Sequence, residues 1–218
     1  MIEKKRIEEA SRNVRQYITD GLLKTRDNES KKLVSFFMDQ AERSLRTASL
    51  IFELSTDSAA KDTMRLDRDF ESHLWVIVTS YYSMFYAALA LLASQGIKAG
   101  RQLVHKVVAD ALIHFFISNK RLAKMLEDYE EARDASLELI GREELMKHLE
   151  KRADELIVAY EREREKRGKF QYDVGEMAKR GYAETSLQRA RDLVSEVRKI
   201  LSKQRSSVRG SYSLTRFA

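Results

Sequence analysis

The chain has 218 residues, 34% of them charged, a formal net charge of +6, eight glycines and neither proline nor cysteine. Without cysteine there can be no disulfide and no thiolate-held metal. Without proline the main helix breaker is missing, so long helices are expected rather than hairpins, and the predicted class is all-α. Such a length holds one good-sized core, or one core with a helical extension.

The charge is unevenly placed. From Arg198 onward, six cations (Arg198, Lys199, Lys203, Arg205, Arg209 and Arg216) meet no Asp or Glu, so residues 1–197 are formally neutral. Residues 204–218 lack apolar periodicity and are expected as a basic C-terminal tail able to touch phosphates. The opening MIEKKRIEEASRNVRQYI is charged throughout and lacks the apolar core of a signal peptide, which sets the expectation of a cytoplasmic protein.

Seven helices are predicted in chain order. Residues 2–25 read as an amphipathic arm, taken with the following turn as a unit of residues 1–28, with Ile7, Ala10, Val14, Tyr17 or Ile18, and Leu22 on one side. The bundle proper spans 29–203. Its first helix, 30–54, carries Leu33, Phe36, Phe37, Ala41, Leu45, Ala48 and Phe52 as the buried stripe, and a polar loop follows.

Leu74 to Ile97 then run without a single charged residue. Leu74, Trp75, Ile77, Val78, Tyr81, Tyr82, Phe85, Leu89 and Leu92 fall on one broad helical face. The length would permit a membrane span, but Thr79, Ser80, Tyr81, Tyr82, Ser83 and Tyr86 place hydroxyls at its centre, so the prediction is a buried core helix and no membrane.

Gly96 and Gly100 bracket a turn before a helix over 102–118 with Leu103, Val107, Leu112 and Phe115 or Phe116 inside. Two charged helices, 120–140 and 142–167, are predicted to part near Gly141 and form an extended hairpin. Leu122, Met125, Tyr129, Ala132, Ser136 and Leu139 make the stripe of the first; Leu145, Leu149, Leu156 or Ile157, and Tyr160 make that of the second. Solvated i,i+4 ion pairs or a seam against a second subunit explain this hairpin equally well. Gly168, Gly175 and Gly181 mark a loop, and a last helix over 183–203 presents Leu187, Ala190, Leu193 or Val194, Val197 and Leu201.

The order YY-x-MF-x-A-x-x-LL-x-x-x-G (Tyr81, Tyr82, Met84, Phe85, Ala87, Leu91, Leu92, Gly96) is followed by a helix led by His105 and ending at Phe116. Arg167 and Tyr172 then precede the final helix. Over residues 31–203 this order resembles the HEPN domain family, most of all the small proteins encoded beside minimal nucleotidyltransferases. The resemblance implies an antiparallel helical bundle, commonly a homodimer, with a polar site near the dimer cleft and no cofactor or metal. Many such proteins are RNases in which an Arg stabilises charge on the scissile phosphate and a His four to six residues later moves the proton.

Here the histidine's place after Arg167 is taken by Tyr172, a group with a pKa near 10 that shuttles protons poorly at neutral pH. The resemblance therefore implies a nucleotide- or RNA-associated binding module paired with a nucleotidyltransferase in a toxin–antitoxin-like couple. Arg167 and Lys169 would meet phosphate, and Tyr172 would stack a base or accept a nucleotidyl group. A metal-independent RNase and a structural homodimer remain the alternatives. Two further segments match the Arg–His spacing, Arg68 to His73 and Arg142 to His148, but neither lies where the family's motif does. His105 and His114 are nine positions apart, so they do not closely share a helical face, and no carboxylate cluster completes a metal site with them; His105 reads as a helix-start or core residue.

Overall fold

The computed structural model describes residues 2–100, 102–151 and 180–213. Among them eight helices and one pair of two-residue strands form an all-α bundle: α1 (Lys4–Thr19), β1 (Leu23–Lys24), α2 (Asn28–Lys31), α3 (Val34–Thr56), α4 (Ser58–Met64), α5 (His73–Ser94), β2 (Lys98–Ala99), α6 (Val104–Phe116), α7 (Lys120–Lys151) and α8 (Arg180–Ser213).

The charge-free segment is α5, and it forms the centre of the bundle. It packs most extensively against α3 and then α8, with α6 and α7 closing the other side. Its composition would suit a membrane span, but 78% of its apolar window is buried by neighbouring helices. Several of the central hydroxyls find partners inside the protein: Ser83 Oγ donates to the Ala41 carbonyl of α3 at 2.8 Å, Thr79 bonds back to the Trp75 carbonyl and Tyr81 meets His105, whereas Ser80 Oγ is buried without a partner. Ala41 and Ala48 of α3 are fully buried, and such small side chains let two helix backbones approach closely enough for the Ser83 bond.

That close approach corrects the predicted stripe of α3. Met38, Ala41, Ala48 and Ser55 face inward, whereas Leu33 and Phe36 are 38% and 51% exposed. Leu103 and Trp75, also read as inward, are exposed. Leu103 sits at a left-handed φ of 50° ahead of α6, which carries it outside the helix's apolar register.

The arm is shorter than predicted, and it belongs to the core. α1 stops at Thr19 because Gly21, at φ 72°, makes a Schellman cap: its N–H bonds the Ile18 carbonyl and Leu22 N–H bonds that of Tyr17. The same device ends α5, where Gly96 (φ 71°) bonds Ala93 and Ile97 bonds Leu92. The two caps bring β1 and β2 together as an antiparallel pair, Leu23 opposite Ala99 and Lys24 opposite Lys98. Gly100 N–H reaches the Leu22 carbonyl at 2.7 Å, and a Cβ there would press on that carbonyl at 3.2 Å. Ala10, Val14 and Tyr17 of α1 consequently join the same buried cluster as Tyr81, Leu91 and Leu112.

Three further boundaries differ. A short helix, α4, occupies the predicted polar loop, started by Asp57, whose carboxylate accepts from Ala59 N–H at 2.9 Å. α7 runs unbroken through Gly141 to Lys151, so no hairpin turn lies there; the stripe of Leu122, Tyr129, Ala132, Ser136 and Leu139 is buried as expected. A glycine inside a helix costs only about 1 kcal/mol, which the rest of a long helix outweighs. The remainder of the predicted second hairpin helix lies outside the described residues. Finally, α8 extends to Ser213, so the segment expected as an aperiodic tail from residue 204 is helical over ten residues.

Candidate functional site

The polar chemistry of the bundle gathers where α1, α5, α6 and α7 meet. Helical spacing brings it there. Arg6, Asn13 and Tyr17 share one face of α1; Lys106 and Asp110 are one turn apart on α6; Tyr129 and Arg133 are one turn apart on α7, as are Tyr81 and Phe85 on α5.

Asp110 is the pivot. It is 1% exposed, and its Oδ2 accepts from Asn13 Nδ2 and from the Tyr17 hydroxyl, both at 2.9 Å. Arg6 Nη2 stands 2.7 Å from Asp110 Oδ1, an ion pair by distance in which the N–H is not aimed at that oxygen. The guanidinium is directed at Glu130 instead, whose Oε1 accepts from Nε at 2.9 Å and Nη2 at 2.6 Å. Burial works against the Arg6 charge, but the nearby carboxylates of Glu130 and Asp110 outweigh it and raise its pKa. The Tyr17 phenol is pushed up by burial and then by the Asp110 carboxylate, so it stays protonated as a donor.

Beside this cluster lies a ring stack. The Tyr81 hydroxyl is 2.6 Å from His105 Nδ1, and the imidazole rests on Phe85 with centroids 4.5 Å apart. Tyr82 meets it edge-on and Tyr129 lies 6.0 Å from Tyr81. Burial lowers the His105 pKa and the Arg133 charge lowers it further, so the ring is neutral at pH 7. Burial raises the Tyr81 phenol, so it keeps its proton and shares a single hydrogen bond with Nδ1. The Tyr129 hydroxyl is buried, raised by burial and by its neighbour Tyr81, and has no hydrogen-bond partner of good geometry.

Arg133 joins the two halves. Its side chain is 14% exposed, bonds Asp134 Oδ1 at 2.7 Å and stands 3.8 Å from Glu130. A cleft of about 320 Å³ opens here, lined by Arg6, Glu9, Lys106, Asp110, Arg133, Asp134 and Leu137. Its formal charge is balanced, three cations against three carboxylates, so it suits a ligand that presents both donors and acceptors better than a bare anion. Among the described residues no group of three His, Cys, Asp or Glu side chains could hold a metal.

Compared with protein-family models, curated proteins and solved structures, the chain matches none. The site therefore stands on its own geometry.

Of the residues predicted from sequence, Arg167, Lys169 and Tyr172 lie outside the described residues. Arg68 and His73 are separated by a loop; His73 is the first residue of α5, 8% exposed, with its ring near Phe52 and Nδ1 3.7 Å from Glu71. Arg142 and His148 both fall within the continuous α7. His114 pairs with Ser11 at 3.0 Å, its pKa lowered by burial and then by Arg15. The sequence reading missed Arg6, Asp110, Glu130 and Arg133. Asp110 carried a signal: it is the one acid in the apolar run VVADALIHFF. Arg133 carried none, as one cation among many in a charged helix.

Proposed function

We propose that this protein is an HEPN-like nucleotide- or RNA-associated binding module, acting as a homodimer in partnership with a nucleotidyltransferase. The observation that supports this best is the grouping of Arg6, Lys106 and Arg133 around one cleft, with the half-buried rings of Tyr82 and His105 in the neighbouring aromatic stack. Guanidinium and ammonium groups meet phosphate, and half-buried rings such as Tyr82 offer a face to a base. The carboxylates of Glu9, Asp110 and Asp134 keep the cleft from being a general anion trap and favour ligands that also donate hydrogen bonds, as ribose and bases do. Arg167, Lys169 and Tyr172 remain proposed contacts. The test is equilibrium binding of fluorescent RNA and of mononucleotides to wild type, Lys106→Ala and Arg133→Ala. At least a tenfold loss in either variant is expected, and unchanged affinity in both sinks the cleft.

A second reading, a metal-independent RNase, is favoured by one specific observation: the Arg133 charge acts directly on a neutral His105. Neutral imidazole can accept the proton of a 2′-hydroxyl while a guanidinium steadies the phosphate, and acid–base catalysis of this kind contributes roughly 10²–10⁴-fold. Incubation of purified protein with structured and single-stranded RNA separates the readings. Cleavage abolished by His105→Ala and by Arg133→Ala promotes the RNase; no cleavage leaves the binding module.

A further inference from the structure

Because α8 continues helically to Ser213, the cations of the C-terminal region fall into register. Arg191, Ser195, Arg198, Ser202, Arg205 and Arg209 follow one another at alternating steps of four and three, so helical geometry sets them on a single stripe. From Gln188 onward no acid of α8 falls on that stripe; Glu184 marks its N-terminal end, and Asp192 and Glu196 lie on other faces. At a rise of about 1.5 Å per residue, Arg191 to Arg209 spans roughly 27 Å.

The described side chains on the stripe are exposed. Arg198 is 58% exposed and pairs with Glu42 of α3 at 2.7 Å; Arg191 reaches Ser49 at 3.4 Å. Along this edge α3 presents Arg46, 70% exposed, and Glu42, with Asp39 and Glu53 in the same helical register on either side of them. The stripe is thus a cationic ridge along α8 beside a face of α3 that carries both signs of charge. Complementing the negative end of the helix dipole explains cations only in the last turn. It does not account for Arg191 and Arg198, which lie several turns earlier.

We propose that this arginine row is a track for the phosphodiester backbone of RNA, separate from the α1–α6–α7 cleft. Arginine's planar fork matches phosphate oxygens two at a time, and the intervening short serines leave room for a strand to lie against the helix. An anionic membrane is the less fitting occupant. A membrane-surface helix must bury an apolar face in lipid, and the apolar face of α8 (Leu187, Ala190, Leu193, Val194, Val197, Leu201) is already buried against the bundle. The track deepens the RNA-associated reading and rests on it, but not on the cleft residues.

The test is fluorescence anisotropy of a single-stranded RNA oligonucleotide with the full chain across a salt series. Arg191, Arg198, Arg205 and Arg209 are changed together to Gln; a control of equal charge changes Lys4, Lys24, Lys199 and Lys203 to Gln. Each phosphate contact contributes about 0.7 to the slope of log K against log salt for a single strand, so the row variant should flatten it by about 2.8. The control should leave the slope near wild type. A second variant, Arg205→Gln with Arg209→Gln, keeps the Glu42 pair and should flatten the slope by about 1.4. Equal flattening in row and control variants, an unchanged slope in the row variant, or a row variant that loses only binding to phosphatidylserine vesicles overturns the track. If Arg133→Ala binds normally while the row variant does not, the cleft fails and the track stands; the reverse result spares the cleft.

Discussion

Replacing Asp110 with Ala should release the N-terminal helix from the bundle. The carboxylate is 1% exposed and receives Asn13, Tyr17 and Arg6, so its removal leaves one buried and one half-buried donor without an acceptor and a half-buried guanidinium with only Glu130. Breaking a buried ion pair from one side costs about 3–5 kcal/mol, and each lost bond to a charged acceptor about 1.5–3 kcal/mol. These terms overlap because the three donors share one group, so a total of about 4 kcal/mol is expected. Asp110→Asn keeps the volume and one acceptor oxygen and should cost roughly half as much. Urea unfolding gives the magnitude, and hydrogen exchange gives the location: amides of α1 should lose protection while those of α3, α5 and α8 keep theirs. A loss below about 1 kcal/mol for Asp110→Ala, within the range of an ordinary surface change, would mean that α1 does not dock through this carboxylate.

Phe85→Ala should cost about 3–5 kcal/mol in a denaturant melt, since the ring is 6% exposed and supports His105, and a cost near zero would contradict its burial. Gly141→Ala should stabilise by about 1 kcal/mol, because the site lies inside α7 and a Cβ there meets nothing within 4 Å; destabilisation would mean the helix breaks at Gly141 after all. Both His105 and His114 have lowered pKa values, so the unfolded chain binds protons that the folded chain refuses. Stability should therefore be full above the unfolded histidine pKa of about 6.5 and fall as pH drops below it. Substituting both with Gln should flatten thermal melts measured from pH 7 to pH 5, and an unaltered pH slope would assign the acid sensitivity elsewhere.

Much of the architecture was written in local pattern. The absence of proline and the 3–4 spacing of apolar residues are enough for an all-helical chain, and the inward stripes of α7 and α8 follow from that spacing, since one helix face must leave water wherever it packs. Helix ends were also legible in principle. Gly21 and Gly96 adopt positive φ at Schellman caps, although only Gly96 was read as punctuation, and the first helix was consequently drawn too long.

What the spacing left open is which part of a broad apolar face wins. Phe36 and Trp75 sit on plausible stripes, yet both are exposed, because α3 and α5 approach through Ala41, Ala48 and Ser83 rather than through their largest side chains. That choice depends on two helices at once. The same holds for the site: Arg6, Asp110, Glu130 and Arg133 come from three helices, with Arg6 and Glu130 separated by 124 positions in the chain. One-dimensional periodicity places each on its own helix face, but only packing brings the faces together. The arginine row lies between these cases. Its residues from Arg198 onward were visible as a surplus of charge, and a helix carried through to Ser213 was needed to align them with Arg191 in a single ridge.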